Sequence, residues 1–84
     1  MRKNSKNIEK FIKLSLKKIN SKNTHLKNNV SLFKQNFDSL DFLKLIFFLE
    51  KKYKIQINSK NFSNLQKITA LVKHMEKNIE QRTL

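Results

Sequence analysis

Apolar residues recur at helical spacing in three stretches of the chain, and polar stretches separate them. Apolar residues three and four positions apart share one face of a helix, with polar residues opposite. The first stretch, residues 4–19, has lysines on its polar face and predicts an amphipathic helix with Asn4 or Ser5 as its N-cap. Residues 20–29 are rich in Asn and Lys and predict a loop. Three apolar residues then return the chain to the core, namely Val30, Leu32 and Phe33.

The second periodic stretch predicts a helix over residues 39–53. Asp38 is a favourable N-cap, and Asp41 adds a second carboxylate in the first turn, where the helix dipole stabilises it. The helix is more apolar than one buried stripe requires, so it either lies centrally or presents a second apolar face to a partner. The residues assigned to the core are Phe42, Leu45, Ile46, Leu49 and Tyr53. The candidate partner face holds positions i, i+3 and i+7, which are Leu40, Leu43 and Phe47.

The third periodic stretch predicts a last helix over residues 64–79, opened by the capping-box pattern Ser63-x-x-Gln66. A short helix over residues 58–61 precedes it. The pattern shows no strand alternation and no internal repeat. We therefore expect an all-α fold and a single domain over residues 1–84, with three main helices and a short third helix around one core.

The chain carries a formal net charge of +13, a value that is typical of proteins that bind nucleic acid or anionic membranes. The composition weakens that interpretation. Gly and Pro are absent, Ala70 is the only alanine, and Lys, Asn, Ile and Phe are abundant. AT-rich codons specify those four residues, so the lysine excess can reflect base composition rather than a polyanionic partner.

Several classes of protein are disfavoured by what the chain lacks. It has no Cys, which excludes disulfides and thiolate chemistry. Its longest apolar run, Leu45–Leu49, is far shorter than the ~20 residues that span a bilayer. The N-terminal apolar residues are interrupted by charges, unlike those of a signal peptide. We expect a soluble, cytoplasmic protein.

Catalytic side chains are sparse. His25 and His74 each lack a second ligand-type residue at a spacing that suits a metal. The acidic residues form no general acid and base pair, and no Gly-rich loop is present to hold a nucleotide. In a chain of 84 residues, a carrier, binding or adaptor role is favoured over enzymatic activity.

The segment Asp38-Ser39-Leu40-Asp41 has two interpretations. Helix capping alone explains an Asp-Ser pair before a helix. The wider context supports a function: residues 37–57 resemble the Asp-Ser-Leu attachment motif of the acyl carrier protein family, followed by its second helix and its aromatic-x-Ile-x-Ile exit. Residues 61–65 and 68–75 resemble the approach to that family's last helix and the helix itself, so the resemblance covers nearly the whole chain.

The resemblance implies a small four-helix bundle of the acyl carrier type. It also implies that 4'-phosphopantetheine is joined to Ser39 Oγ through a phosphodiester, and that the thiol of this arm carries an acyl or aminoacyl group as a thioester. Asp38 resembles the residue that supports attachment by the phosphopantetheinyl transferase. The other implied partners are enzymes that activate or transfer acyl groups, and the carrier itself would be a monomer.

The chain departs from the family pattern at three places. Gln35 and Asn36 stand where the family often has Gly, and Asn tolerates a left-handed backbone, so we expect the turn to be kept. Lys44 and Lys51 replace typical acidic residues and only Glu50 keeps the sign, so we expect partners with acidic docking surfaces. The residues expected to contact them are Leu40, Leu43, Lys44, Phe47 and Lys51. The bulky residues expected to narrow an acyl cavity are Phe42, Phe47 and Phe48.

Two alternatives remain open. A small basic helical module could bind nucleic acid or anionic surfaces, although the aromatic residues lie on apolar stripes rather than interleaved with lysines as stacking platforms. A carrier-like domain could also serve as a structural subunit without cargo. Fatty acyl, polyketide, amino acid and D-alanyl carriers share the motif, so the carried group stays open.

Overall fold

Helices account for most of the structure, a computed structural model that describes residues 3–22 and 25–82. The α-helices are α1 (Lys3–Ile19), α2 (Ser39–Tyr53) and α3 (Ile68–Arg82), and the 3-10 helices are η1 (Leu32–Lys34) and η2 (Ser59–Asn64). The described residues contain no strand, so the all-α prediction is confirmed. None of the helices in those ranges is long and apolar enough to cross a bilayer.

Helix α1 packs against both α2 and α3. Its apolar stripe is fully buried at Ile8, Ile12 and Leu16, because these positions recur on one face of the helix. The predicted N-cap is wrong: α1 begins at Lys3, so Asn4 and Ser5 lie inside its first turn. The Ser5 hydroxyl instead hydrogen-bonds the Glu76 carboxylate on α3.

One hydrophobic core joins all the helices. Its fully buried large side chains are Ile8, Ile12, Leu16, Leu32, Leu45, Ile46, Leu49, Ile68, Leu71 and Met75. Leu32 returns the chain to this core after the first loop, as predicted. Phe33 does not: its side chain is 41% exposed, and its ring lies 5.7 Å from that of Phe42.

The predicted start of the last helix is wrong by four residues. Ser63 lies in η2, and α3 begins only at Ile68. Gln66, the expected partner in a capping box, is used elsewhere. Its carbonyl oxygen accepts a hydrogen bond from Leu32 N–H at 2.7 Å, and its side-chain oxygen accepts one from the Ser31 hydroxyl at 3.2 Å. These bonds tie the segment before α3 to the segment before α2.

The loop between α1 and α2 is held by the side chain of Gln35. Its amide nitrogen donates to the carbonyl oxygens of Lys27 and Val30, at 2.9 and 2.8 Å, and its oxygen accepts from Lys27 N–H at 2.8 Å. Further along this loop, the Asn28 carbonyl oxygen accepts from Thr69 N–H at 3.1 Å. Because one side chain satisfies several backbone groups, residues 27–35 are tied together just before α2.

Candidate functional site at the start of α2

A left-handed residue directs the chain into α2. Asn36 has φ 70°, a conformation that Asn tolerates better than most residues. Its carbonyl oxygen accepts a hydrogen bond from the Asn20 side chain just beyond α1, at 3.3 Å. The next residue, Phe37, is buried in the core. The turn expected from the sequence is therefore present without glycine, and it places Asp38 at the surface.

Asp38 and Asp41 form a capping box. Asp38 is the N-cap, with φ −99° and ψ −176°, and its carboxylate accepts from Asp41 N–H at 2.9 Å. The Asp41 carboxylate accepts in return from Asp38 N–H at 3.1 Å. Each aspartate thus satisfies a backbone donor that the first turn of a helix leaves without an intrahelical acceptor. The predicted N-cap and first-turn carboxylate are confirmed.

Ser39 is the first residue of α2, and it is exposed. The helix provides no acceptor for the N–H groups of Ser39 and Leu40, because the first turn has no preceding turn. These donors and the positive end of the helix dipole favour an anionic group at this position. A phosphate ester on the Ser39 hydroxyl would therefore be both accessible and electrostatically stabilised.

The buried face of α2 is the predicted one. Phe42, Leu45, Ile46 and Leu49 are buried, and Tyr53 is half-buried, with its ring edge-on to Phe11 at a centroid distance of 5.9 Å. Phe42 also contacts Phe62 edge-on, with the ring centroids 5.5 Å apart. Of the three phenylalanines expected to narrow an internal cavity, only Phe42 lies in the core; Phe47 and Phe48 are exposed, so that expectation is wrong for them.

The solvent-exposed face of α2, which we call the outer stripe, begins one residue after Ser39. It consists of residues at i, i+3, i+4, i+7, i+8 and i+11, which are Leu40, Leu43, Lys44, Phe47, Phe48 and Lys51. Leu40 is 66% exposed and Phe47 is 63% exposed. Phe47 lies between two exposed lysines, contrary to the expectation that aromatic residues and lysines are segregated. The helical spacing of Phe48 from Lys44 could have assigned it to this face.

Glu50 holds the other end of α2. Lys54 adopts a left-handed conformation, φ 56° and ψ 47°, and its N–H donates to the Glu50 carbonyl oxygen. The Glu50 carboxylate accepts from Ile57 N–H at 2.8 Å. The sequence pattern indicates for Glu50 only a negative charge beside the partner face. Ile57 lies seven residues after Glu50 and outside α2, so helical periodicity could not reveal this contact.

The titratable groups with shifted pKa values lie outside the outer stripe. Hydrogen bonds from Lys13 and Asn28 lower the pKa of Glu9 on α1. Burial, with a smaller contribution from the Lys77 charge, lowers the pKa of His74 on α3. Among the described residues, no group of three His, Asp or Glu side chains is placed to hold a metal ion. The chemistry available at the start of α2 is that of an exposed hydroxyl beside a carboxylate.

No family model, curated protein or solved structure matches the chain. The structure places Asp38 and Ser39 at one helix end and the candidate partner residues on one adjoining face.

Proposed function

We propose that this protein is an acyl carrier protein, which holds an acyl or aminoacyl group on 4'-phosphopantetheine attached to Ser39. The observation that carries the proposal is the position of Ser39: exposed, first in an α-helix and directly after the capping carboxylate of Asp38. Apart from the three-residue η1, the order of two long helices, a short helix and a final long helix agrees with the sequence resemblance to a four-helix carrier.

The residues around Ser39 suit a phosphodiester. An enzyme that installs the arm needs access to Ser39 Oγ, and the side chain is exposed. The first-turn N–H groups favour the negative charge that attachment introduces. Ser39 Oγ would give up its proton to a base of the transferase and form the new bond to phosphorus, while the P–O bond of the coenzyme A pyrophosphate breaks and adenosine bisphosphate leaves. When bound, the arm supplies the thiol that holds the acyl group as a thioester.

The proposed role is presentation rather than catalysis. The partners in this role are a phosphopantetheinyl transferase and the enzymes that load or accept the acyl group. The outer stripe begins at Leu40, next to Ser39, so an enzyme that reaches the arm also meets this face.

A second candidate function is the binding of single-stranded nucleic acid. The observation that favours it is the exposed ring of Phe47 between Lys44 and Lys51, since aromatic rings beside cations can stack with bases. This hypothesis assigns no role to Ser39. Attachment of an acylated arm to Ser39 therefore separates the two functions.

The direct test of the carrier function uses an acyl-coenzyme A and a permissive phosphopantetheinyl transferase. We expect the intact mass of the protein to rise by one acylated arm. Neutral hydroxylamine cleaves thioesters but leaves phosphodiesters intact, so it should then remove the acyl mass alone. A protein that gains no mass, or whose added group resists hydroxylamine, would contradict the proposed function.

A further inference from the structure

The three carboxylates at the two ends of α2 each accept a hydrogen bond from a nearby backbone N–H, within the first turn for Asp38 and Asp41 and from beyond the helix for Glu50. Asp38 and Asp41 accept hydrogen bonds from each other's N–H groups, and Glu50 accepts one from Ile57 N–H. A carboxylate that satisfies a backbone donor loses that hydrogen bond if it turns towards another protein. The acidic residues of α2 thus serve its two ends, and the outer stripe itself contains none.

The charges on the outer stripe are positive and flank an apolar anchor. Lys44 lies three residues before Phe47 and Lys51 four residues after it, about one helical turn to each side. Both lysines are exposed, and neither makes an ion pair with another described residue. The seven-residue interval between them corresponds to roughly 10 Å along the helix axis.

We propose that the outer stripe docks partner enzymes through an apolar pocket for Phe47 that is flanked by carboxylates about 10 Å apart, matching the lysine spacing. This inference rests on the proposed carrier function and specifies its partners. A large, exposed aromatic side chain is the kind of residue that dominates an interface when a pocket buries it. The lysines set the encounter rate and exclude basic surfaces, because opposite potentials attract and like charges are costly in contact.

The composition of the outer stripe favours a protein over a nucleic acid as its occupant. Leu40 and Leu43 are aliphatic and continue the apolar surface from Phe47 towards Ser39. Aliphatic side chains gain free energy by entering an apolar pocket, but they offer no flat π-face on which bases could stack. A protein surface can contact both the aliphatic and the aromatic side chains of the outer stripe, whereas single-stranded nucleic acid would stack only on the aromatic ones.

Helix α1 offers a matched control for the docking face. Lys10 and Lys17 are exposed, lie seven residues apart and flank Leu14, which is 50% exposed. Changing Lys10 and Lys17 to Glu alters the net charge as much as changing Lys44 and Lys51 to Glu. The two double variants differ only in whether the reversed charges lie on α1 or on the outer stripe of α2.

The experiment compares arm installation by two transferases. One has a basic carrier-binding surface, and the other is the same enzyme with the basic residues of that surface changed to Glu. We expect the wild-type protein to react about tenfold or more faster, in kcat/KM, with the acidic version. Lys44→Glu with Lys51→Glu should reverse this preference, and Lys10→Glu with Lys17→Glu should keep it. Phe47→Ala should lower kcat/KM with both enzymes, and Leu14→Ala with neither.

The possible outcomes are distinct. Equal shifts in the two charge-reversal variants, or no shift in either, would overturn the docking proposal while leaving the carrier function intact. If no variant acquires an arm from either transferase, the carrier function fails and the docking proposal fails with it.

A titration with a fluorescent single-stranded oligonucleotide tests whether nucleic acid, and not a protein, binds the outer stripe. We expect weak binding that both charge-reversal variants reduce equally. Binding that is lost specifically in Phe47→Ala and in Lys44→Glu with Lys51→Glu would assign the outer stripe to nucleic acid instead.

Discussion

Asp38 and Asp41 hold the start of α2 reciprocally: each carboxylate accepts a hydrogen bond from the other residue's N–H, at 2.9 and 3.1 Å. Asp38 therefore stabilises the helix whether or not an enzyme ever contacts it. The proposed support of arm attachment by Asp38 must be separated from this capping role. The two roles differ in their need for charge, because an amide oxygen can cap a helix as well as a carboxylate can.

Substitutions at Asp38 should separate these roles. Asp38→Ala removes the cap and should lower the free energy of unfolding by about 1 kcal/mol. Asp38→Asn keeps an acceptor oxygen and should retain most of the stability, but it should slow arm installation. Urea denaturation and the rate of mass gain measure the two effects. If Asp38→Asn is modified at the wild-type rate, Asp38 is only a cap.

At each of the two left-handed residues, a substitution to Gly should give a more stable protein than a substitution to Ala. Asn36 and Lys54 have φ values of 70° and 56°, where a Cβ atom is unfavourable. Lys54→Gly should raise the free energy of unfolding by about 0.5–1 kcal/mol, and Lys54→Ala should change it little. Asn36→Ala should cost about 1 kcal/mol, whereas Asn36→Gly should not. Destabilisation by both Gly substitutions in urea melts would contradict this backbone assignment.

Glu50 should matter for stability through its acceptor rather than its charge. Glu50→Ala leaves Ile57 N–H without its carboxylate partner and should cost about 1–2 kcal/mol. Glu50→Gln keeps an oxygen at the same position and should cost clearly less. Chemical denaturation of the two variants measures the difference. Equal losses would show that the negative charge, and not this hydrogen bond, is what α2 requires.

His74 should make the protein less stable in mild acid. Burial, and secondarily the Lys77 charge, lowers the pKa of His74 from its ordinary 6.5, so the folded state binds the proton less tightly than the unfolded state does. The contribution of neutral His74 to the free energy of unfolding is fully present above pH 6.5 and is lost as the pH falls from there through the pKa of the folded state. The lowered pKa of Glu9 has its effect below 4.5, outside this range.

Urea midpoints measured from about pH 8 to pH 5 test the role of His74. His74→Gln should flatten the decrease in stability towards acid, and His25→Gln, in an exposed loop, should keep it. An unchanged slope in His74→Gln would assign the effect to other groups.

Local patterns predicted α1 and α2 well. The predicted ranges 4–19 and 39–53 agree with Lys3–Ile19 and Ser39–Tyr53 in the structure. The agreement is close because each helix buries a regular apolar stripe, which helical periodicity detects. The start of α3 was mispredicted because the Gln66 side chain bonds Ser31, which lies thirty-five residues earlier in the chain. A capping pattern read along the chain cannot include such a distant competitor.

In the candidate site, too, features set by local sequence were predictable and features set by distant contacts were not. The Asp38 cap and the left-handed Asn36 depend on neighbours within a few residues, and both were predictable. The exposure of Phe33 and the bond from Ile57 N–H to Glu50 depend on how distant segments meet, and neither was predicted. The outer stripe was found in part, because an excess of apolar residues on one helix requires a second face but does not define its limits.

The intact mass of three proteins shows whether Ser39 is the attachment site of the arm. Wild type, Ser39→Ala and Ser63→Ala would each be incubated with coenzyme A and a permissive phosphopantetheinyl transferase; Ser63 is an exposed serine in η2 and serves as the matched control. We expect wild type and Ser63→Ala each to gain the mass of one arm and Ser39→Ala to gain none. A mass gain that persists in Ser39→Ala, or the absence of any gain in wild type, would contradict the assignment of Ser39 as the attachment site.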